Sequence, residues 1–122
     1  ATRYALERQQ FGKPIGEHQL VQAMLAECKV EIEATRALIL ETARKRDRAE
    51  DVTLDVSMCK YLSTEMCCRV ADRVVQIFGG QGYVQGRGIE RFFRDVRAFR
   101  IYEGTSQIQQ TLIAKNMVRD AS

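Results

Sequence analysis

Arg44-Lys45-Arg46-Asp47-Arg48-Ala49-Glu50-Asp51 is a run of interleaved charge with nothing apolar in it larger than alanine, and it interrupts the two longest periodic stretches of the chain. Upstream, from about Glu17 to Lys45, apolar residues recur at helical spacing (Val21, Met24 or Leu25, Cys28, Ile32, Leu38 or Ile39, Thr42), while Lys29, Glu33 and Arg36 fall off that stripe. Downstream, Cys59, Leu62, Met66, Val70, Val74 and Ile77 trace a second stripe between about Leu54 and Phe78. Nearly thirty residues at about 1.5 Å rise make a rod of roughly 40–45 Å, which needs a partner of similar length. The polar loop Asp47 to Asp51 is short, so the rods fold back on each other as an antiparallel pair.

Outward from this hairpin the pattern stays helical. No segment shows sustained period-2 alternation or β-branched clustering, and there is no internal repeat or low-complexity tract. The expectation is an all-α, antiparallel four-helix bundle with two long helices and shorter terminal ones. A chain of 122 residues with 45% hydrophobic content can bury one core, so residues 1–122 are expected to form a single domain. The chain opens at Ala1 in a helical pattern, the expectation for a piece of something longer. Ala1 to Phe11 reads as the last turns of a helix, stopped by Gly12-Lys13-Pro14, because Pro14 lacks an N–H and disfavours helical geometry at Lys13. The second rod ends at Gly79-Gly80-Gln81-Gly82-Tyr83, which is either a left-handed helix cap with a turn or a backbone that a cofactor can approach closely. It is not a dinucleotide fingerprint, since a helix rather than a strand precedes it. Ile89 to Arg97 is short, amphipathic and strongly charged. A last helix from Ser106 to Val118 carries Ile108, Leu112, Ile113 and Met117 on one face.

Composition removes several function classes. The net charge of +3 comes from 19 basic and 16 acidic residues, interleaved as on solvated helix faces rather than gathered into a nucleic-acid footprint. There is no apolar run of 18 residues and no basic-then-apolar signal segment, so neither a membrane span nor secretion is supported. Cys28, Cys59, Cys67 and Cys68 contain no C-x-x-C, and the single histidine, His18, completes no zinc set, so no metal site is expected. Cys28, Cys59 and Cys67 fall on apolar helix positions, where a reduced thiol acts as a small hydrophobe; a reducing compartment fits best.

The chemistry concentrates in Ile101-Tyr102-Glu103-Gly104-Thr105-Ser106-Gln107. One carboxylate, Glu103, lies between an aromatic ring and a glycine, ahead of Ser106-x-x-Gln109, which has the form of a helix-opening capping box. Gly104 lets a ligand approach the backbone, and a flat group can pack beside Tyr102. A carboxylate near a helix N-terminus is also favourable by roughly 0.3–1 kcal/mol through the macrodipole alone. Local chemistry therefore leaves a catalytic and a structural reading of Glu103 both open.

Taken in order, the blocks Tyr4-Ala5-x-x-Arg8-x-x-Phe11-Gly12-Lys13-Pro14-Ile15, His18-Gln19, Lys60-Tyr61, Gln76-Ile77-Phe78-Gly79-Gly80-x-Gly82-Tyr83, Glu90-Arg91-x-x-Arg94-Asp95 and Ile101 to Gln109 resemble the C-terminal helical domain of the acyl-CoA dehydrogenases. These are flavoproteins that introduce the α,β double bond into acyl-CoA thioesters. The resemblance covers essentially the whole chain. It implies that Glu103 is the general base that takes the α-proton while the β-hydride passes to the flavin of FAD, and that Tyr102 and Gly104 line the acyl-thioester channel. It implies that Thr105 and Gln107 contact the flavin cofactor of the subunit's own site, while Arg8, Phe11, Gln19, Gln76, Gly79 and Gly80 reach the dinucleotide of a neighbouring subunit. A homodimer or homotetramer is expected on that basis, with electron-transfer flavoprotein as electron acceptor and a bacterial cytoplasm or mitochondrial matrix as location.

The same resemblance marks what this stretch lacks: the family's N-terminal helical domain and its central β-domain. The fragment alone is expected to be inactive. Lys60, Arg91, Arg94 and Asp95 read as ion pairs and surface charge, and His18 as a structural or cofactor-edge contact. Two other readings stand beside this one: a stand-alone helical interaction module, and an acyl-CoA oxidase using the same base. A di-iron bundle needs Glu-x-x-His pairs, and Ile15 stands three before His18.

Overall fold

The computed structural model describes residues 1–121. Its helices are α1 (Thr2–Glu7), α2 (Gln19–Asp47), α3 (Thr53–Phe78), α4 (Gly80–Tyr83), α5 (Ile89–Val96) and α6 (Ser106–Asp120), with 3-10 turns at Ile15–Glu17 and Arg97–Arg100. The long hairpin forms as the periodicity requires. α2 and α3 run antiparallel, because contacts that start at the loop march away from it on both rods. Lys45 Nζ meets Asp55 Oδ1 at 2.6 Å, Thr42 Oγ1 meets Cys59 Sγ at 3.2 Å, Arg69 Nε meets Glu31 Oε2 at 2.8 Å, and Arg73 Nε meets Glu27 Oε2 at 2.9 Å. Arg44, Lys45 and Arg46 close α2, where cations offset the carbonyl end of the helix. Asp51 opens α3 by accepting the Thr53 amide at 2.9 Å.

α3 is the axis of the molecule: α2, α4, α5, α6 and the Arg97–Arg100 turn all pack on it, and no residue from Ser57 to Ala71 is fully exposed. Its buried hydroxyls are satisfied within the helix, Ser57 by Thr53 O at 3.3 Å and Thr64 by Lys60 O at 3.0 Å. Small side chains bonded to their own backbone allow neighbouring helices to come close without leaving orphan polar groups. At the far end of the hairpin Ala5, Ile15 and Ile77 form a buried cluster with Tyr4, Val21, Met24 and Leu25 around it. Tyr4 stacks on Phe78 with ring centres 4.1 Å apart and planes 12° from parallel, which docks the N-terminal segment onto the end of α3.

Three local expectations change. Helix α1 stops at Glu7, and Gln9–Gln10 (β1) pairs antiparallel with Lys13–Pro14 (β2), so residues 8–14 are a minimal hairpin rather than helix. Its two-residue turn, Phe11-Gly12, has φ of 53° and 79°, the left-handed pair that suits tight hairpins. The cap of α6 is Thr105, whose Oγ1 accepts the Ile108 amide at 3.2 Å. Ser106 instead gives its hydroxyl to Glu65 Oε1 at 2.7 Å, so the expected capping box is not formed. Along α6, Ser106 and Gln109 are buried and Ile113 half-buried, while Ile108, Leu112 and Met117 are exposed. The apolar stripe of that helix faces outward because α3 offers it Glu65 and Tyr61, which select polar partners.

Among the described residues no helix is long and apolar enough to cross a membrane, and no group of His, Cys, Asp or Glu gathers that could hold a metal ion. All four cysteines are free.

Candidate functional site

The turn between the Arg97–Arg100 segment and α6 carries Tyr102, Glu103 and Gly104. Glu103 has φ 54° and Gly104 φ 84°, so two successive residues are left-handed. Glycine takes that geometry freely, whereas for a residue with a Cβ it costs on the order of 1–2 kcal/mol and persists only where neighbours enforce it. Here they do. Lys60 Nζ, from α3, donates to Phe99 O at 3.0 Å and to Gly104 O at 2.5 Å. Gln109 Nε2 donates to Glu103 O at 3.4 Å. Glu65 holds both limbs at once, accepting Arg100 Nη2 on Oε2 and the Ser106 hydroxyl on Oε1, each at 2.7 Å. Burial pushes the Glu65 carboxyl up, but the Ser106 hydroxyl and the Arg100 guanidinium together outweigh it and hold the group below its ordinary value.

These bonds fix the backbone and leave the functional groups free. The Glu103 side chain is exposed, and its carboxylate has no hydrogen-bond or ion-pair partner among the described residues. Tyr102 is half exposed and rests edge-on against Phe99, with ring centres 5.7 Å apart. A Cβ on Gly104 would lie 2.7 Å from Gln109 Nε2, so glycine is required there for space as well as for φ. Thr105 Oγ1 is occupied as an acceptor by its capping bond, which leaves its own hydrogen to donate, and Gln107 is exposed. A cleft of about 1110 Å³ between α3 and residues 93–101 adjoins the turn through Arg100 and Ile101. Glu103 is not among the residues that line it.

The remaining candidates gather elsewhere. Arg8 follows α1 as its C-cap, with its amide bonded to Tyr4 O at 2.8 Å; its guanidinium is exposed and forms no ion pair among the described residues. Phe11 is 92% exposed at the hairpin tip, its ring edge-on to His18 at 5.9 Å. His18 Nε2 lies 3.1 Å from Gln10 O, a structural contact. Gln19, Gln76, Gly79 and Gly80 are all exposed around the same end. Nothing lies within 4 Å of where a Cβ would stand on Gly79 or Gly80, and Gly79 has φ 59°. This end is built on Phe78, while the Glu103 turn is built on Lys60 and Glu65, so about 13–18 helical residues, roughly 20–27 Å of α3, separate the two.

Three residues that serve the turn were not legible as such. Lys60 is neither ion-paired nor a surface charge; it is half buried and spent on two backbone carbonyls. Arg91 does approach Asp95, at 4.0 Å, as an exposed pair. Glu65 carries no motif, and Gln109 matched only a cap. Gly82, in the glycine cluster, is the glycine the packing demands: a Cβ there would meet Phe78 Cβ at 2.7 Å and Val75 O at 2.8 Å.

An antiparallel helical domain that fixes one free carboxylate beside its central helix, and exposes a cation, a ring and an open glycine turn at the far end, defines a structural class. The family model for the acyl-CoA dehydrogenase C-terminal domain matches residues 1–118, and the chain belongs to that family. It is 40% identical over 119 residues to the CarC subunit of a caffeyl-CoA reductase-Etf complex from Acetobacterium woodii, covering 98% of this chain and 31% of that protein. It is 35% identical over 119 residues to the short-chain specific acyl-CoA dehydrogenase of Megasphaera elsdenii, covering 98% and 31%. The solved butyryl-CoA dehydrogenase from Megasphaera elsdenii superimposes with a TM-score of 0.92 at 34% identity, over 96% of this chain and 30% of that one. The chain thus spans about a third of the length of the curated relatives it matches.

Proposed function

We propose that residues 1–122 serve as the C-terminal helical domain of a longer, flavin-dependent acyl-CoA dehydrogenase, and that Glu103 is its general base. The observation that carries this reading is a free carboxylate on a backbone held left-handed by side chains of α3 and α6. An α-proton next to a thioester is a weak acid, so its removal needs a carboxylate already aimed at it. In the reaction the Cα–H electron pair becomes the new π bond, the proton goes to a Glu103 carboxyl oxygen, and hydride leaves the β-carbon. FAD, when bound, supplies the acceptor for that hydride. Tyr102 offers a half-exposed ring and Gly104 an uncluttered backbone to the acyl thioester.

The residues present suit such a cofactor. Arg8 offers an unpaired guanidinium fork for a pyrophosphate. Phe11 offers a ring, Gln19 and Gln76 exposed amides, and Gly79-Gly80 an unobstructed backbone. Thr105 keeps a free hydroxyl hydrogen and Gln107 an exposed amide beside Glu103. In this reading Thr105 and Gln107 serve the subunit's own flavin, and the Arg8 end serves the dinucleotide of a neighbouring copy in a homodimer or homotetramer. Support comes from Leu6, Phe11, Leu20 and Tyr83, which are 68–92% exposed at that end; apolar surface left bare in one chain is commonly covered by another. Glu103 is exposed, so nothing among the described residues shields a proton transfer there from water. The isolated chain is therefore inactive.

Electron-transfer flavoprotein is the proposed electron acceptor, supported by the Etf complex in the name of the Acetobacterium woodii relative. An oxidase using the same base is the second reading, favoured by the structural likeness to a prolyl acyl carrier protein oxidase, with TM-score 0.92 and 34% identity. The test common to both is Glu103→Gln in the complete enzyme, mixed with acyl-CoA without oxygen. Substrate still binds, and the flavin stays oxidised; flavin reduction at the normal rate would move the base elsewhere.

A further inference from the structure

We propose that Lys60 is a positioning residue for proton abstraction, setting the Glu103 carboxylate by bridging the two limbs of its turn; the assignment rests on Glu103 being the base. An ammonium group has three donors. Lys60 directs two of them at backbone carbonyls on either side of Tyr102-Glu103: Phe99 O at 3.0 Å before, and Gly104 O at 2.5 Å after. The side chain is half buried and forms no ion pair among the described residues, although Glu65 stands a little further along the same helix. A cation placed against two carbonyls, with a carboxylate nearby committed to Arg100 and Ser106, acts as a fixed brace rather than a charge partner.

The brace matters because of what it restrains. Glu103 has φ 54°, a conformation that a glutamate abandons when nothing enforces it. Gln109 contributes one long bond at 3.4 Å from within α6, and Glu65 ties Arg100 and Ser106, outside the strained pair. Among the described residues only Lys60 bonds the carbonyl of Gly104 and that of Phe99 together, thereby setting the span across which Tyr102 and Glu103 must arch. Without those two donors the turn can relax toward right-handed φ, which swings the carboxylate away from a fixed substrate carbon. Proton transfer tolerates little of that, since a displacement of about 1 Å costs on the order of a hundredfold in rate.

The experiment compares Lys60→Met, Lys60→Arg and Glu103→Gln in the complete enzyme. Flavin reduction is followed without oxygen, using acyl-CoA and its α-deuterated form, and backbone amide exchange is measured over residues 101–105. Methionine keeps the length of the stem and removes the donors. The expected result for Lys60→Met is a limiting reduction rate lowered about ten- to hundredfold, an unchanged substrate dissociation constant, a larger α-deuterium isotope effect and faster amide exchange in the turn. Lys60→Arg, which restores donors, recovers part of the rate. Lys60→Met reducing its flavin at the wild-type rate, or with unchanged amide exchange, overturns the assignment while an inert Glu103→Gln leaves the base in place. Normal reduction by Glu103→Gln instead overturns both. Should Lys60→Met fail to fold, Lys60→Gln takes its place under the same rate and exchange criteria.

Discussion

The turn at Glu103 and the hairpin at Arg8 to Pro14 both hold a bulky residue at positive φ, Glu103 at 54° and Phe11 at 53°, yet the chain treats them differently. Glu103 is enforced by three side chains from two helices, and its backbone has little freedom to choose. Phe11 rests on a four-residue ladder and an edge-on contact with His18, and projects 92% exposed. One region has its backbone held by side chains of its own chain. The other presents a cation with no ion pair among the described residues, a largely exposed ring and an open glycine backbone. Under the proposed function, the first region aims a group and the second makes contact.

Substitutions can test how far that separation goes. The largest effects are expected from the functional groups themselves. In the complete enzyme Glu103→Gln should slow flavin reduction by about 10²–10⁴-fold, the usual worth of a positioned base, with FAD content unchanged. Arg8→Glu should do the reverse, weakening FAD retention on the order of ten- to hundredfold through loss of a charge-assisted bond. Flavin titration and anaerobic stopped-flow together separate the two.

A middle-sized effect should come from the support. Glu65→Ala leaves the Ser106 hydroxyl and Arg100, whose Nε already lacks a partner, without their acceptor. It should cost about 1–3 kcal/mol in urea unfolding at pH 7. The Glu65 carboxyl sits below its ordinary value when folded. Its stabilisation is therefore complete above the unfolded value of about 4.3 and fades as pH falls through the lower, folded one. The gap between wild type and variant should shrink under acid; a gap that widens would contradict the assignment. The smallest effects distinguish the glycines. Gly82→Ala forces a Cβ onto Phe78 and Val75 and should cost about 1–3 kcal/mol. Gly80→Ala meets open space and should change stability by less than about 0.5 kcal/mol, while obstructing whatever approaches that backbone.

How much of this was legible follows from which interactions leave a period in the sequence. The α2–α3 hairpin was readable, since Cys28, Thr42, Cys59 and Ile77 recur at 3.6-residue spacing and all turn inward. The inward face of α6 was not, because it is made by Ser106 and Gln109, whose burial depends on acceptors contributed by α3 and by the turn. Two adjacent hydroxyls, Thr105 and Ser106, compete for one cap, and only the presence of Glu65 decides which is left to fill it. The β1–β2 ladder has two residues a side, too short to show alternation. The expectation of an ion pair or surface charge at Lys60 fails because its acceptors are backbone carbonyls 39 and 44 residues away, and carbonyls carry no sequence signature. The sequence marks Glu103 as a candidate through its motif; the Lys60 contacts that hold its turn leave no such mark.

The central claim is that the two regions of one chain serve two different active sites. It is tested most directly by co-expressing Glu103→Gln and Arg8→Glu forms of the complete enzyme with different tags and purifying the mixed assembly. If the base acts on the chain's own site and the Arg8 end completes a neighbour's, each mixed pair holds one doubly damaged site and one intact site. Turnover should then return to about half of wild type per pair, as additive site counting requires. Mixed assemblies as inactive as either parent would mean that both regions serve the same site, and the account would be wrong.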